Sequence, residues 1–372
     1  MRPLEGLFVL DFSTLLPGPM AGLLLAEAGA EVVKVEREGS GEEMRGYAPL
    51  WGGDGVNFAL LNRGKKSIAL NLKDEAARAK LLPLVEKADI LLEQFRPGAM
   101  ARLGLDYATL SGINPRLIYC SITGYGQTGP KLNAAGHDLN YIGDSGLLAL
   151  SMGEPSRGIV PPALIADIAG GAYPAVINIL LALRERDRTG VGCHLDIAMT
   201  DNLFPFTYWA MGNGLAAGEW PGNGTDLVTG GSPRYQLYGT ADGRVVAAAP
   251  LEQKFWVTFC ELIGLDPALR DDSRDPDATR TGVAALIARE TGEHWRALFA
   301  GKDCCCSVVA TIREAMDDPH FQARGLFDRR VTNFDGQSLP ALPVPIAPAF
   351  REDASVSRET PGLGAHNQDY LR

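Results

Sequence analysis

The chain has 372 residues, of which 46% are hydrophobic and 22% charged, which excludes a disordered or fibrous protein and supplies enough apolar material for a sizeable core. Lys plus Arg is 35 and Asp plus Glu is 45, a net charge of −10. Such a balance argues against nucleic acid as a partner, yet leaves room for a local basic pocket that holds a small anion.

At this length two or three domains are expected. The six cysteines are Cys120, Cys193, Cys260, Cys304, Cys305 and Cys306. None forms the spaced pairs that tetrahedral zinc requires, so the expectation is reduced thiols, no metal and a cytoplasmic protein. The run Cys304–Cys306 is read as small buried apolar residues rather than a redox device.

In chain order, Leu7–Phe12 reads as a buried strand with no signal-peptide pattern before it. Pro17-Gly18-Pro19 breaks it, Met20–Gly29 is helical and Glu31–Val35 is a second strand. This β-α-β unit implies a parallel sheet with helices on its faces, an α/β class. Asp74–Lys87 has helical spacing, Asp89–Leu92 is a strand, Asp106–Ser111 a short helix and Arg116–Ser121 another strand. A helix at Gly170–Arg186 and a strand near His194–Ile197 follow. No apolar run approaches the roughly 18–20 residues of a membrane span, so no membrane is expected. Glycine and proline are dense from Gly212 to Pro233. Tyr235–Tyr238 and Val245–Ala249 then read as a hairpin, with helices near Gln253–Gly264, Gly282–Thr291 and His294–Ala300. The expected organisation is a large domain over 1–200 and 330–372, a linker at 201–225 and a smaller α+β domain at 226–325.

No Gly-x-Gly-x-x-Gly, no Gly-x-x-x-x-Gly-Lys-Ser/Thr and no Gly-x-Ser-x-Gly is present, so dinucleotide, NTP and serine-hydrolase readings lack their motifs. Basic residues nonetheless cluster early: Lys34, Arg37, Arg63, Lys65, Lys66, Lys73, Arg96 and Arg102. Several follow strands, where open α/β sheets place ligands, and as a set they read as a site for a phosphorylated carrier; singly, each reads as solvated charge. Ser121–Pro130 holds three glycines after a strand, either a ligand-hugging loop or a plain connector. His137, in Gly136-His137-Asp138-Leu139-Asn140-Tyr141, is either a proton shuttle or a structural imidazole. Asp167 lies in an apolar stretch just before a helix, where a carboxylate serves either as a cap or as a tuned base or nucleophile. Met199, Phe204, Phe206, Trp209, Met211 and Trp220 line an apolar channel or belong to the core.

Taken in order, a set of segments resembles the family III CoA-transferases: Leu4–Leu7 with Leu16–Pro19; Ala28–Arg37; Asn62–Ser67 with Asn71–Lys73; Phe95–Gly98; Arg102–Leu105; Thr123–Pro130; Gly136–Tyr141; Asp167 before Gly170-Gly171; and Pro361–His366. The resemblance spans nearly the whole chain. It implies a CoA thioester substrate, with coenzyme A as part of that substrate and no other cofactor. It also implies a Rossmann-like large domain built from both chain ends, a smaller domain, and an interlocked homodimer. By position, Arg37, Arg63, Lys73, Arg96 and Arg102, with Gly124, Tyr125, Gly126, Asp138 and Tyr141, would contact the CoA moiety.

Within that family the resemblance favours the branch that inverts the α-carbon of 2-methyl-branched acyl-CoA thioesters. His137 stands at that branch's histidine, Glu252 at a glutamate that orients it, and Thr229–Pro233 carries two glycines in place of an extended glycine loop. His137 and Asp167 would then flank the carbon beside the thioester carbonyl, one removing the proton and the other returning it. The enolate oxygen would sit on backbone N–H groups at the start of the helix after Asp167 or in the Gly124–Gly126 loop. The alternative is transfer of CoA between carboxylic acids with Asp167 as nucleophile; a non-catalytic CoA-binding protein is a third. Two departures stand out: Ala163 replaces an expected polar residue, and Cys304–Cys306 replaces a single Cys and a Pro.

Overall fold

The protein is described by a computed structural model covering residues 2–154 and 156–371, with Arg157 described through its main chain. The chain divides into two compact units. One takes the chain up to Ser145, then Pro162–Phe204 and everything from Pro319 on; the other takes Gly146–Pro161 and Pro205–Asp318.

In the first unit the apolar runs form β1 (Phe8–Asp11), β2 (Glu31–Arg37), β3 (Lys66–Leu70), β4 (Ile90–Glu93), β5 (Ile118–Thr123) and β6 (His194–Ala198). They pair in the order β6-β5-β4-β1-β2-β3, every neighbour parallel. Val9 in the middle strand sits beside Val32 on one side and Ile90 on the other. Residues Ile90–Glu93 and Ile118–Thr123 are buried throughout, as expected of strands covered on both faces. Leu10, Val33, Ile68, Leu81, Leu91 and Leu110 belong to one apolar cluster. Each such fully buried side chain contributes about 1.5–3 kcal/mol.

Between β1 and β2 runs α1 (Pro17–Glu27), buried along its whole length. Prolines at its first turn cost nothing there, because the first N–H groups of a helix have no partner within it. Later come α2 (Asp138–Asp144) and α3 (Tyr173–Thr189). The chain leaves β1 for β2 and β3 on one side and returns to β4 on the other, so a topological switch point lies at the carboxyl ends of β1 and β4. The C-terminal segment lies against β3 and the start of β1. Asn367 bonds both main-chain groups of Ala69 at 2.8 and 3.1 Å, and the Tyr370 ring stacks on Phe8 at 6.2 Å.

In the second unit, α4 (Tyr208–Ala217) precedes β7 (Gln236–Gly239) and β8 (Val245–Ala248). After them come α5 (Gln253–Ile263), α6 (Pro276–Ile287), α7 (Gly292–Phe299) and β9 (Cys306–Val308). The three strands form an antiparallel sheet around a core of Trp256, Phe259, Val283, Trp295 and Phe299.

Several expectations need correction. The stretch read as a linker carries α4, and Gly146–Pro161 belongs to the second unit. The helix expected at Gly282–Thr291 is α6, which starts earlier because Asp275 caps it and Pro276 opens it. Helical spacing over Asp74–Lys87 resolves into Glu75–Ala79 and Leu82–Val85, with Pro83 at the restart. Ala166–Thr189 is one continuous helical stretch of 24 residues, by length and composition apolar enough to cross a membrane. The small residues at 166–172 prolong the apolar run that was expected to be too short. Ala175, Ile179, Ala182 and Leu183 on it are buried, and it packs on α1, β5 and β6, as a core helix does. Of the three consecutive cysteines, Cys304 is buried, but Cys305 is exposed with a left-handed backbone, φ 49°.

Candidate active site

At the switch point a cleft of about 510 Å³ opens, lined wholly by the first unit. Its walls are the turn after β1 (Thr14, Leu15, Pro17), the segment after β4 (Gln94–Pro97), the end of β5 with its loop (Ile122–Tyr125), Leu132–His137, Asn140, Tyr141, Asp167 and Met199. His137 and Asp167, which lie 30 positions apart in the chain, thus share one cavity.

Each is held by a helix N-terminus. His137 is the residue before α2 and is exposed; its N–H donates to Asn140 Oδ1 at 3.0 Å, closing the first turn. Asp167 lies in the first turn of Ala166–Ala172, whose wider π-type winding runs into α3. Such windings recur at functional sites. Gly170 and Gly171 let this turn pack closely: a Cβ on Gly170 would lie 2.5 Å from the Met199 carbonyl oxygen, and one on Gly171 3.0 Å from Pro17. The two N-termini are joined by Asp138, whose Oδ1 accepts the Asp167 N–H at 2.9 Å. Burial, and then the charge of Asp138, push the Asp167 carboxyl up to about 7.

The Gly124–Gly126 loop is set by close contacts. A Cβ on Gly124 would fall 2.4 Å from the Tyr141 ring. Tyr141 donates its hydroxyl to the Gly136 carbonyl and meets Tyr125 edge-on at 5.3 Å. Tyr125 in turn donates to Asp144 at 2.7 Å. Gly126 turns at φ 84° and gives its N–H to Thr123 Oγ1 at 2.9 Å; it is buried and does not line the cleft.

The basic residues separate. Arg96 is exposed and lines the cleft. Arg37 and Lys73, both exposed, line a second cleft of about 290 Å³ that shares Thr14 and Phe95 with the first. Arg102 is exposed on the short helix Ala99–Arg102 and lines neither.

Arg63 is a correction. It is 1% exposed, bound to Glu27 at 2.9 Å and to the carbonyls of Leu60 and Leu342 at 2.8 Å, so its guanidinium holds the fold and has no face for a ligand. Lys34 and Lys65 are likewise buried in ion pairs with Glu42 and Asp11. Asp138 is a second correction: it is buried, does not line the cleft, and caps the helix start instead of meeting CoA. That takes the Asp167 N–H, and the Ile168 N–H goes to the Leu164 carbonyl at 3.1 Å, so neither serves as an oxyanion donor. Glu252 precedes α5 in the second unit. Of the six apolar residues read as channel or core, Met199 lines the cleft, whereas Phe204, Phe206, Trp209 and Trp220 are exposed.

Sequence reasoning missed Thr14, Leu15 and Gln94. Leu15 takes a left-handed backbone, φ 62°, and Gln94 Oε1 accepts the Gly18 N–H at 3.0 Å, tying the β4 end to the start of α1. Their signal was position alone: each follows the carboxyl end of a central strand.

The family model of CoA-transferase family III matches residues 4–367. The alpha-methylacyl-CoA racemase of Mus musculus is 35% identical over 99% of this chain and 92% of its own length. The acetyl-CoA:oxalate CoA-transferase of Acetobacter aceti is 33% identical over 93% of this chain and 89% of its own. Among solved structures, a CAIB/BAIF family protein from Brucella suis superposes with a TM-score of 0.81 at 30% identity, covering 99% of this chain and 98% of the other. A match across almost the whole length, with the cleft at the switch point of the sheet, shows that the chain belongs to CoA-transferase family III.

Proposed function

We propose that the protein is a racemase of 2-methyl-branched acyl-CoA thioesters, with His137 and Asp167 as its acid–base pair. The observation that carries this reading is Asp167 at about 7 in the cavity that His137 also lines. A carboxyl poised near neutrality both takes and gives a proton, which racemisation asks of it in its two directions. One member of the pair removes the α-proton and the C–H electron pair moves into the enolate. The other member returns a proton to the opposite face, and the configuration inverts. Within the Gly124–Gly126 loop, Gly126 spends its N–H on Thr123, which leaves the N–H groups of Gly124 and Tyr125, both on the cleft wall, for the enolate oxygen. One such donor is worth about 2.7–4 kcal/mol. Arg96 faces the same cleft and suits a CoA phosphate. The scheme uses CoA only as part of the substrate. Exposed Ile177, Leu180 and Leu181 on α3 fit a self-associated enzyme.

Similarity to an acetyl-CoA:oxalate CoA-transferase supports the second reading, in which the Asp167 carboxylate attacks the thioester and CoA passes to an acceptor acid. Proton NMR in deuterated water with a 2-methylacyl-CoA separates the two. Racemisation removes the α-proton signal without any acceptor and is severely impaired by either His137→Ala or Asp167→Asn. An unchanged α-proton, with CoA appearing on an added acid, establishes transfer instead.

A further inference from the structure

We propose that Asp138 is a positioning residue for Asp167, holding it through the main chain and acting on it through charge. This rests on Asp167 being the working carboxylate, and it applies to either reaction.

The geometry is specific. Asp138 is 5% exposed and is the first residue of α2, directly after His137. Its Oδ1 accepts the Asp167 N–H at 2.9 Å. One buried side chain therefore fastens the turn that carries Asp167 to the turn that carries His137. A carboxylate suits this place, because the N-terminus of a helical segment presents unpartnered N–H groups and a positive dipole end. The Asp167 N–H could have served a ligand; here it is taken by the protein itself.

The same carboxylate repels negative charge on Asp167. The other polar and charged groups around Asp167 are few. From α2, Tyr141 feels the charges of Asp167, Arg96 and Asp138. His137, Arg96 and Tyr125 face the same cleft from α2, the segment after β4 and the loop after β5. Pro17 and Met199, which pack on the turn from the α1 and β6 sides, carry no charge. Beside burial, it is the charge of Asp138 that raises the Asp167 carboxyl. The two functions are separable. Asparagine keeps an oxygen acceptor for the N–H and loses the charge, whereas alanine loses both.

The test is the pH profile of kcat/KM for wild type, Asp138→Asn and Asp138→Ala, with α-proton exchange as the readout. With the like charge gone, Asp167 ionises at lower pH, so the acid limb of Asp138→Asn is expected to move down by about half a pH unit or more. Asp138→Ala, which also leaves the Asp167 N–H unpaired, is expected to fall at least about tenfold below Asp138→Asn at pH 8. An acid limb of Asp138→Asn that coincides with wild type overturns the charge, and equal activity of the two variants overturns the positioning. If wild type shows no exchange but moves CoA to an acceptor acid, the racemase reading has failed, and the same profile is taken on CoA transfer, where ionised Asp167 is the nucleophile. A carbon-13 titration of the aspartate carboxyls, with the Asp167 resonance assigned by its loss in Asp167→Asn, reads the same shift without turnover. No movement of that resonance in Asp138→Asn also overturns the proposal.

Discussion

Replacing Lys65 by methionine should destabilise the first unit by about 3–5 kcal/mol, the cost of leaving a buried charge without its partner. Lys65 Nζ donates to Asp11 Oδ2, to the Pro19 carbonyl and to Asn62 Oδ1, each at 2.9 Å, and neither member of the Lys65–Asp11 pair is exposed. Burial pushes the Asp11 carboxyl up, but Lys65, Lys34 and Ser13 outweigh it and hold it below the usual carboxylate range, so the pair is ionic. Methionine fills most of the volume, so the loss comes from the charge and the acceptors and not from a cavity. Lys34 still faces Asp11 and donates to the Ser13 carbonyl at 2.7 Å, which places the expected value near the lower bound. Hydrogen exchange of peptides spanning β1 and β2, read by mass spectrometry, measures this directly. A loss of about 3 kcal/mol accelerates exchange through global opening about a hundredfold. The exposed Lys73→Met serves as the control and should stay within about 0.5 kcal/mol of wild type. The penalty should shrink as pH is lowered, because without Lys65 burial raises the Asp11 carboxyl and protonation relieves it. It should also be smaller in the double variant Asp11→Asn/Lys65→Met. A loss below about 1 kcal/mol, or one equal to that of Lys73→Met, would refute the assignment of Lys65 to the fold.

Two further outcomes follow from the same chemistry. Glu93 is buried at the end of β4, accepts the Phe95 N–H at 2.8 Å, and is pushed up by burial from 4.5 to about 7. A raised carboxyl means that the folded state holds an extra proton between these two values. Stability should therefore fall as pH rises through that window and level off above about 7, and Glu93→Gln should remove about 3 kcal/mol of that fall. Equal pH slopes for the two proteins in urea unfolding would contradict this. In Gly124→Ala the new methyl meets the Tyr141 ring at 2.4 Å, so the ring must leave the Gly136 carbonyl and the cleft wall. The expected result is a drop in kcat/KM of about tenfold to a hundredfold with an unchanged far-UV spectrum, and wild-type kinetics would count against the wall as drawn.

The amino-acid sequence by itself determined what depends on local order. Continuous apolar runs specified the buried parallel strands, and the order of segments from Leu4 to His366 the family, whereas α1, read from Met20, starts three residues earlier at Pro17 because proline is tolerated in a first helical turn. Asp167 stood out as a carboxylate just before a helix, and His137 as a histidine among polar neighbours after a glycine-rich loop, both features of neighbouring residues. Tertiary structure decided which charges are ligands and which are struts. Arg63, Lys65 and Arg96 look alike in the chain, yet Arg63 reaches the Leu342 carbonyl 279 positions away, Lys65 reaches Asp11 54 positions away, and Arg96 alone of the three faces the cleft. Asp138 likewise turns on Asp167, 29 positions away. A buried charge is set by the partner that neutralises it, and such partners meet only when the sheet order brings distant segments together.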